Sequence, residues 1–159
     1  MAQILRPAAT TLSTRIASGN HTAIDEVTPN DGDYIQSQSV TSSQSATYEC
    51  RLSPPVGIPE PGTGKLRLRG FAQDGGSNVL VSLRQGDTQL EFENTAYSSL
   101  SISTFEYEFD LSGITDWGDV RIRLHFARNN ANTGWYRTHW LEFEVPDATP
   151  GDGAWFQFF

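Results

Sequence analysis

A chain of 159 residues is long enough for one domain that buries most of its apolar surface. Its nine Phe, five Tyr and four Trp exclude a disordered polymer. The net charge of −8 falls mostly in the second half, where residues 81–159 carry five basic and twelve acidic groups, and such a surface argues against nucleic acid as a partner.

Residues 1–11 contain Arg6-Pro7 and read as a short arm. No apolar run follows Met1, so neither a secretory leader nor a membrane span is expected, and synthesis in the cytoplasm follows. Next comes an acidic turn, Thr22 to Ile35, in which two short apolar pairs flank Pro29 and Gly32. Its carboxylates, Asp25, Asp31 and Asp33 foremost, are candidate Ca²⁺ ligands. Their spacing matches no helix–loop–helix calcium loop, however, and turns built on Asx side chains need the same residues without a metal, so no cofactor is expected. The Ser/Gln-rich stretch from Ser37 to Thr47 is either an edge strand or a loop. Cys50 is the single cysteine, which excludes an internal disulfide and predicts a buried, inert thiol.

Beyond Leu52, four prolines between Ser53 and Gly64 predict a long loop. Six segments then alternate apolar and polar residues with period two. Leu66 and Leu68 lead the first, Val79, Val81 and Leu83 the second, and Leu90 and Phe92 the third. Phe105, Tyr107 and Phe109 form the fourth, Val120, Ile122, Leu124 and Phe126 the fifth, and Leu141, Phe143 and Val145 the sixth. This pattern predicts half-buried antiparallel strands. Asp74-Gly75-Gly76-Ser77 and Gln85-Gly86-Asp87 read as hairpin turns between them. Helical signal is confined to a single turn near Leu111 to Gly118, whose Ile114 and Trp117 are placed to plug one end of a sandwich. Asn129 to Gly134 is a third loop. Trp135, Arg137 and His139 share parity with Leu141, which leaves two alternatives: a bulge near Thr138, or an exposed Trp140. The expected fold is all-β, a single jelly-roll or Greek-key antiparallel sandwich of about eight to ten strands spanning residues 1–145. Residues 146–159 end in Trp155, Phe156, Phe158 and Phe159, either a last strand or a peptide that docks on a neighbouring subunit.

No catalytic signature emerges, so no enzyme is expected. Glu106, Glu108 and Asp110 share one strand face, but cross-strand pairing with Arg121 and Arg123 accounts for them without catalysis. The three histidines have no zinc-site spacing. Trp135, Tyr136 and Trp140 are candidates for a glycan-stacking platform, with core packing as the plainer reading. Ten Arg against one Lys favour planar, multidentate contacts.

Three stretches resemble jelly-roll segments of tailed-phage virion proteins. The first runs from Arg6-Pro7 through Ala23 to Glu26, Pro29, Asp31 and Asp33-Tyr34-Ile35. The second is Leu66 to Arg69 followed by Val79 to Gly86, and the third is Ile114 to Leu124. The resemblance implies a non-enzymatic structural protein, foremost a capsid decoration or cement protein on the outer surface of the head. It also implies the major capsid protein or other virion subunits as partners, and a homo-oligomer with a trimer favoured. Trp155, Phe156, Phe158, Phe159 and Arg6 would then be the docking residues. The alternative is a carbohydrate-binding jelly-roll module of a phage tail or fibre that contacts host glycans.

Overall fold

A computed structural model describes residues 2–27, 32–73, 77–97, 101–128 and 133–148. Eleven strands run through them: β1 (Gln3–Leu5), β2 (Pro7–Thr14), β3 (Ile16–Ser18), β4 (Ile35–Ser37), β5 (Ser45–Leu52), β6 (Thr63–Ala72), β7 (Ser77–Gln85), β8 (Thr88–Tyr97), β9 (Ser103–Asp110), β10 (Val120–Arg128) and β11 (Tyr136–Val145). They form two antiparallel sheets. One has the order β3-β4-β11-β6-β9, with β1 also paired to β11, and the other has the order β2-β5-β10-β7-β8. Each of the six alternating segments is a strand, and the expected all-β sandwich is the fold observed.

The chain changes sheet at almost every connection; only β3–β4 and β7–β8 join partners within one sheet. This corrects two expectations. Residues 1–11 are no arm, because β1 lies in the six-stranded sheet and β2 in the five-stranded one, with Arg6 at the crossing. The expected turn from Asp74 to Gly76 lies outside the described residues, and the strands on either side of it, β6 and β7, belong to different sheets rather than to one hairpin. The Gln85 turn is a true hairpin: Gln85 pairs with Thr88, and Gly86 takes φ +54°, which glycine adopts without steric cost.

Period-two strands place one face of each sheet inside. Leu66, Leu68, Leu141 and Phe143 of one sheet meet Tyr48, Val81, Ile122, Leu124 and Phe126 of the other, all essentially solvent-free. Cys50 is fully buried, its thiol donates weakly to the Ile122 carbonyl, and burial pushes it up to about 12, so it is inert as expected. Ile114 and Trp117 pack, partly buried, against this core. Trp117 begins a 3-10 turn, Trp117–Asp119, and the Asp116 side chain accepts from the Gly118 amide at 2.8 Å. Among the described residues no helix is long and apolar enough to cross a membrane.

The Thr22–Ile35 segment, read from the sequence as an acidic turn, is more elaborate at its start. His21–Ala23 form a 3-10 turn capped by the Asn20 side chain, and Ile24 is fully buried while its carbonyl accepts from the Leu141 amide at 3.0 Å. A loop anchored by the buried Ile24 therefore fills the edge of β11 between the stretches paired with β4 and β1.

Gly64 in β6 has no room for a side chain, since an added Cβ would stand 2.5 Å from Phe143 Cζ and 2.7 Å from Leu111 Cδ2. Gly64→Ala is therefore expected to destabilise the domain by about 1–3 kcal/mol in urea unfolding. A midpoint equal to that of the parent would refute the close packing at this point.

Candidate functional site

The outer face of the five-stranded sheet carries the most organised set of polar groups. β10 sits at its centre, and its residues alternate between buried and half-exposed. Val120, Ile122, Leu124 and Phe126 enter the core, which sends Arg121, Arg123 and His125 outward. Pairing on either side aligns them in rows. Arg121 lies between Arg51 of β5 and Arg84 of β7, Arg123 between Glu49 and Ser82, and His125 between Thr47 and Leu80.

Glu49 is the anchor of this face. It is only 2 % exposed, and its carboxylate accepts from Arg123 Nε at 2.7 Å, Arg121 Nη1 at 3.3 Å and Thr11 Oγ1 at 2.8 Å, with Arg84 Nε at 3.4 Å. Arg121 is held on its far side by a two-point contact to Asp119, at 2.7 and 2.9 Å, which holds that carboxyl below the usual range. Arg84 also donates to the Asp87 carbonyl. Burial and the neighbouring Arg123 pull the Arg84 guanidinium below its ordinary value. His125 Nδ1 lies 3.0 Å from Thr47 Oγ1, and burial, followed by the charge of Arg123, lowers its imidazole.

Of these groups, Thr47, Arg123 and His125 line a groove of about 280 Å³. Thr47, Ser82, Gln89, Arg123 and His125 supply its polar lining, with Leu12 and Leu80 as apolar flanks. Phe92 stands beside it, directly across from Ser82, and is 58 % exposed. The alternation of Leu90 and Phe92 predicts one shared core face for both, and this is corrected. The β7–β8 register shifts between Leu83 and Arg84, so Leu90 is the extra residue, packed on the core, while Phe92 faces outward.

The candidate stacking platform does not assemble, and core packing, the plainer reading, holds for Tyr136 and Trp140. Tyr136 is fully buried and Trp140 is 7 % exposed, because the register of β11 shifts between Thr138 and Trp140. That is the bulge of the two alternatives. Trp140 Nε1 donates to the Glu26 carbonyl at 3.0 Å under the loop that covers it. Trp135 alone of the three remains half-exposed, and it belongs to a different layer on the six-stranded sheet. There the Arg137 guanidinium lies 4.0 Å from the Tyr34 ring centroid and 4.4 Å from that of Trp135. Phe71 packs edge-on against Trp135 and stacks on His139. These faces are spent on one another and on Arg137, and among the described residues Phe92 is the ring with open surface beside polar groups.

Arg6 is engaged within the fold. Its Nη1 donates to the Glu26 carbonyl at 2.6 Å and its Nη2 pairs with Glu142 at 3.3 Å. Trp155, Phe156, Phe158 and Phe159 lie outside the described residues; the chain leading to them bridges the proline-rich loop at Ala148 and Pro59. Asp31 also lies outside, and among the described residues no three His, Cys, Asp or Glu side chains converge on a metal site; Asp25 and Asp33 belong to no such group.

The Glu106, Glu108 and Asp110 row faces outward as expected, but its partners differ. β9 pairs with β6, so Glu106 binds Lys65 at 3.0 Å and Arg67 at 2.9 Å rather than Arg121 or Arg123. Arg67 continues to Glu142 at 3.0 Å and Glu144 at 2.7 Å, forming a ladder across three strands. The Lys65 and Arg67 contacts hold Glu106 below the carboxylate range, and hydrogen bonds from Ser112 do the same for Asp110. A general acid in this row would need the opposite shift.

No family model and no curated protein matches the sequence. Solved structures match the fold. A structure titled "Family 16 Carbohydrate Binding Module-2" is 8 % identical, with 82 % of this chain and 85 % of that one covered at a TM-score of 0.50. An arabinose-bound GH51 α-L-arabinofuranosidase, MgGH51, is 13 % identical at 0.56, with 91 % of this chain covered but 26 % of that one. A cyclase from Fischerella sp. TAU is 14 % identical at 0.50, covering 93 % and 76 %. The fold is a jelly-roll β-sandwich. It carries binding modules and enzymes alike, so function has to be argued from the site.

Two outcomes test this geometry. Glu49→Ala is expected to cost about 3–5 kcal/mol in urea unfolding, because it leaves Arg84 and its neighbours without their buried counter-charge; a loss under 1 kcal/mol would remove Glu49 as the anchor. Lowered in the fold, His125 favours its neutral form there, so the unfolded chain takes up the proton first. Its contribution is then complete above about pH 6.5 and declines as the pH falls below that value. His125→Asn should flatten the stability profile between pH 7 and 5, and an unchanged slope would assign the dependence to other groups.

Proposed function

We propose that this chain is a non-catalytic carbohydrate-binding jelly-roll module whose ligand lies on the outer face of the five-stranded sheet. The observation that carries this reading is Phe92, an exposed ring standing next to a groove of fixed hydrogen-bonding side chains. Sugars present apolar C–H faces and a rim of hydroxyls, and an open aromatic ring beside rigid donors and acceptors complements both. Rigidity comes from below: Glu49 holds Arg123, and Thr47 holds His125. The fold is shared with a module named for carbohydrate binding, which supports the reading without deciding it. The resemblance to virion proteins makes a phage tail or fibre a fitting place for such a module, with host glycans as its targets.

Affinity electrophoresis against a panel of soluble polysaccharides, followed by calorimetry on the best ligand, is the direct test. Phe92→Ala is expected to weaken binding about 3- to 10-fold, the size of one lost ring contact, with an unchanged melting temperature. Trp135→Ala should leave affinity as it was. Absence of binding to every glycan, or binding indifferent to Phe92→Ala, would overturn the assignment.

A further inference from the structure

The same face has a charge pattern that a neutral ligand does not require. Arg51, Arg121 and Arg84 stand directly opposite one another on three adjacent strands, and Arg123 follows in the next row. Like charges placed directly opposite destabilise a sheet. Four guanidiniums therefore meet here in a protein whose net charge is −8. The counter-charges are few. Glu49 serves Arg84, Arg121 and Arg123 together, Asp119 is taken by Arg121, and Asp87 touches Arg121 at 3.7 Å from a fully exposed position. His125 faces the same groove and is favoured in its neutral form, so it adds no further positive charge there.

Two of the arginines remain open toward solvent. Arg123 spends its Nε on Glu49 and lines the groove with a side chain that is 29 % exposed, and Arg51 is exposed on the adjoining row. A guanidinium anchored through Nε keeps its Nη1 and Nη2 donors for a second planar acceptor, the geometry in which Arg binds a carboxylate at two points.

We infer that the groove binds acidic glycans, with the uronate carboxylate of a sugar ring seated on Arg123 and attracted by Arg51. This deepens the carbohydrate-binding reading and rests on it. The ring of that sugar would lie toward Phe92, one position along the same row as Arg123 and Ser82.

The test uses calorimetry with oligosaccharides of equal length: oligogalacturonate, oligomannuronate and hyaluronan fragments against galactan, cello- and manno-oligosaccharides, with dextran sulfate as a further arm. At least one uronate oligomer is expected to bind about tenfold or more tightly than every neutral one at low salt, and to weaken as salt is raised. Arg123→Gln should remove that preference, and Arg123→Lys should restore only part of it, because the charge returns without the two-point geometry. Arg51→Gln, at an exposed position that leaves Glu49 paired, should reduce the salt dependence without loss of fold. Neutral oligomers binding as well as uronates, or a preference untouched by Arg123→Gln and Arg51→Gln, would overturn the inference and leave the glycan-binding reading standing. Dextran sulfate outcompeting every uronate would overturn the carboxylate assignment. Failure of all sugars to bind would overturn the glycan-binding reading itself.

Discussion

Strand β10 is the constraint on which the two faces of the five-stranded sheet depend. It lies between β5 and β7 and keeps strict alternation over its whole length. Its inward apolar residues, Val120, Ile122, Leu124 and Phe126, are buried to within 1 % and join the central core, so a slip of one position would expose four apolar side chains and bury Arg121 and Arg123. That penalty locks the register, and a locked register sets the positions of Arg121, Arg123 and His125 on the outside. Core packing and the candidate site are two consequences of one alternation.

Glu49 adds the second layer of order. A carboxylate this deeply buried needs charge-assisted donors, and three arginines from β7 and β10 converge on it with Thr11 from β2. The arrangement ties four of the five strands together on their outer side. It also holds long, flexible side chains in fixed positions before any ligand arrives, which lowers the entropic cost of binding. The ladder centred on Arg67 performs the tying role on the other sheet, but there three cations, Arg6, Lys65 and Arg67, meet three carboxylates, Glu106, Glu142 and Glu144. One outer face is thus electrically satisfied and the other retains positive charge.

Much of the architecture was legible from spacing. The six alternating segments, the Gly86 hairpin, the proline-rich loop and the buried Cys50 all follow from local pattern and turn chemistry, whereas the parity around Trp140 leaves a bulge and an exposed ring equally open. The site was legible only in parts. The predominance of arginine was visible, but the partners of Glu106 depended on β9 lying beside β6, which is a matter of strand order. Phe92 was misplaced because one extra residue at Leu90 reverses the parity of β8, and an apolar pattern carries no mark of such a bulge.

The sequence by itself determined the class of fold, because period-two alternation has a single physical use: one side against a core, the other toward water. It also determined the chemical character of the outer positions, basic on β10 and acidic on β9. Only the tertiary structure decided which of these rows meet. Residues 49, 84, 121 and 123 come from three strands as far apart as 74 positions in the chain, and their convergence requires β10 to separate β5 from β7. Strand order is set by how the whole core closes, a global sum over buried contacts that no local stretch of sequence contains.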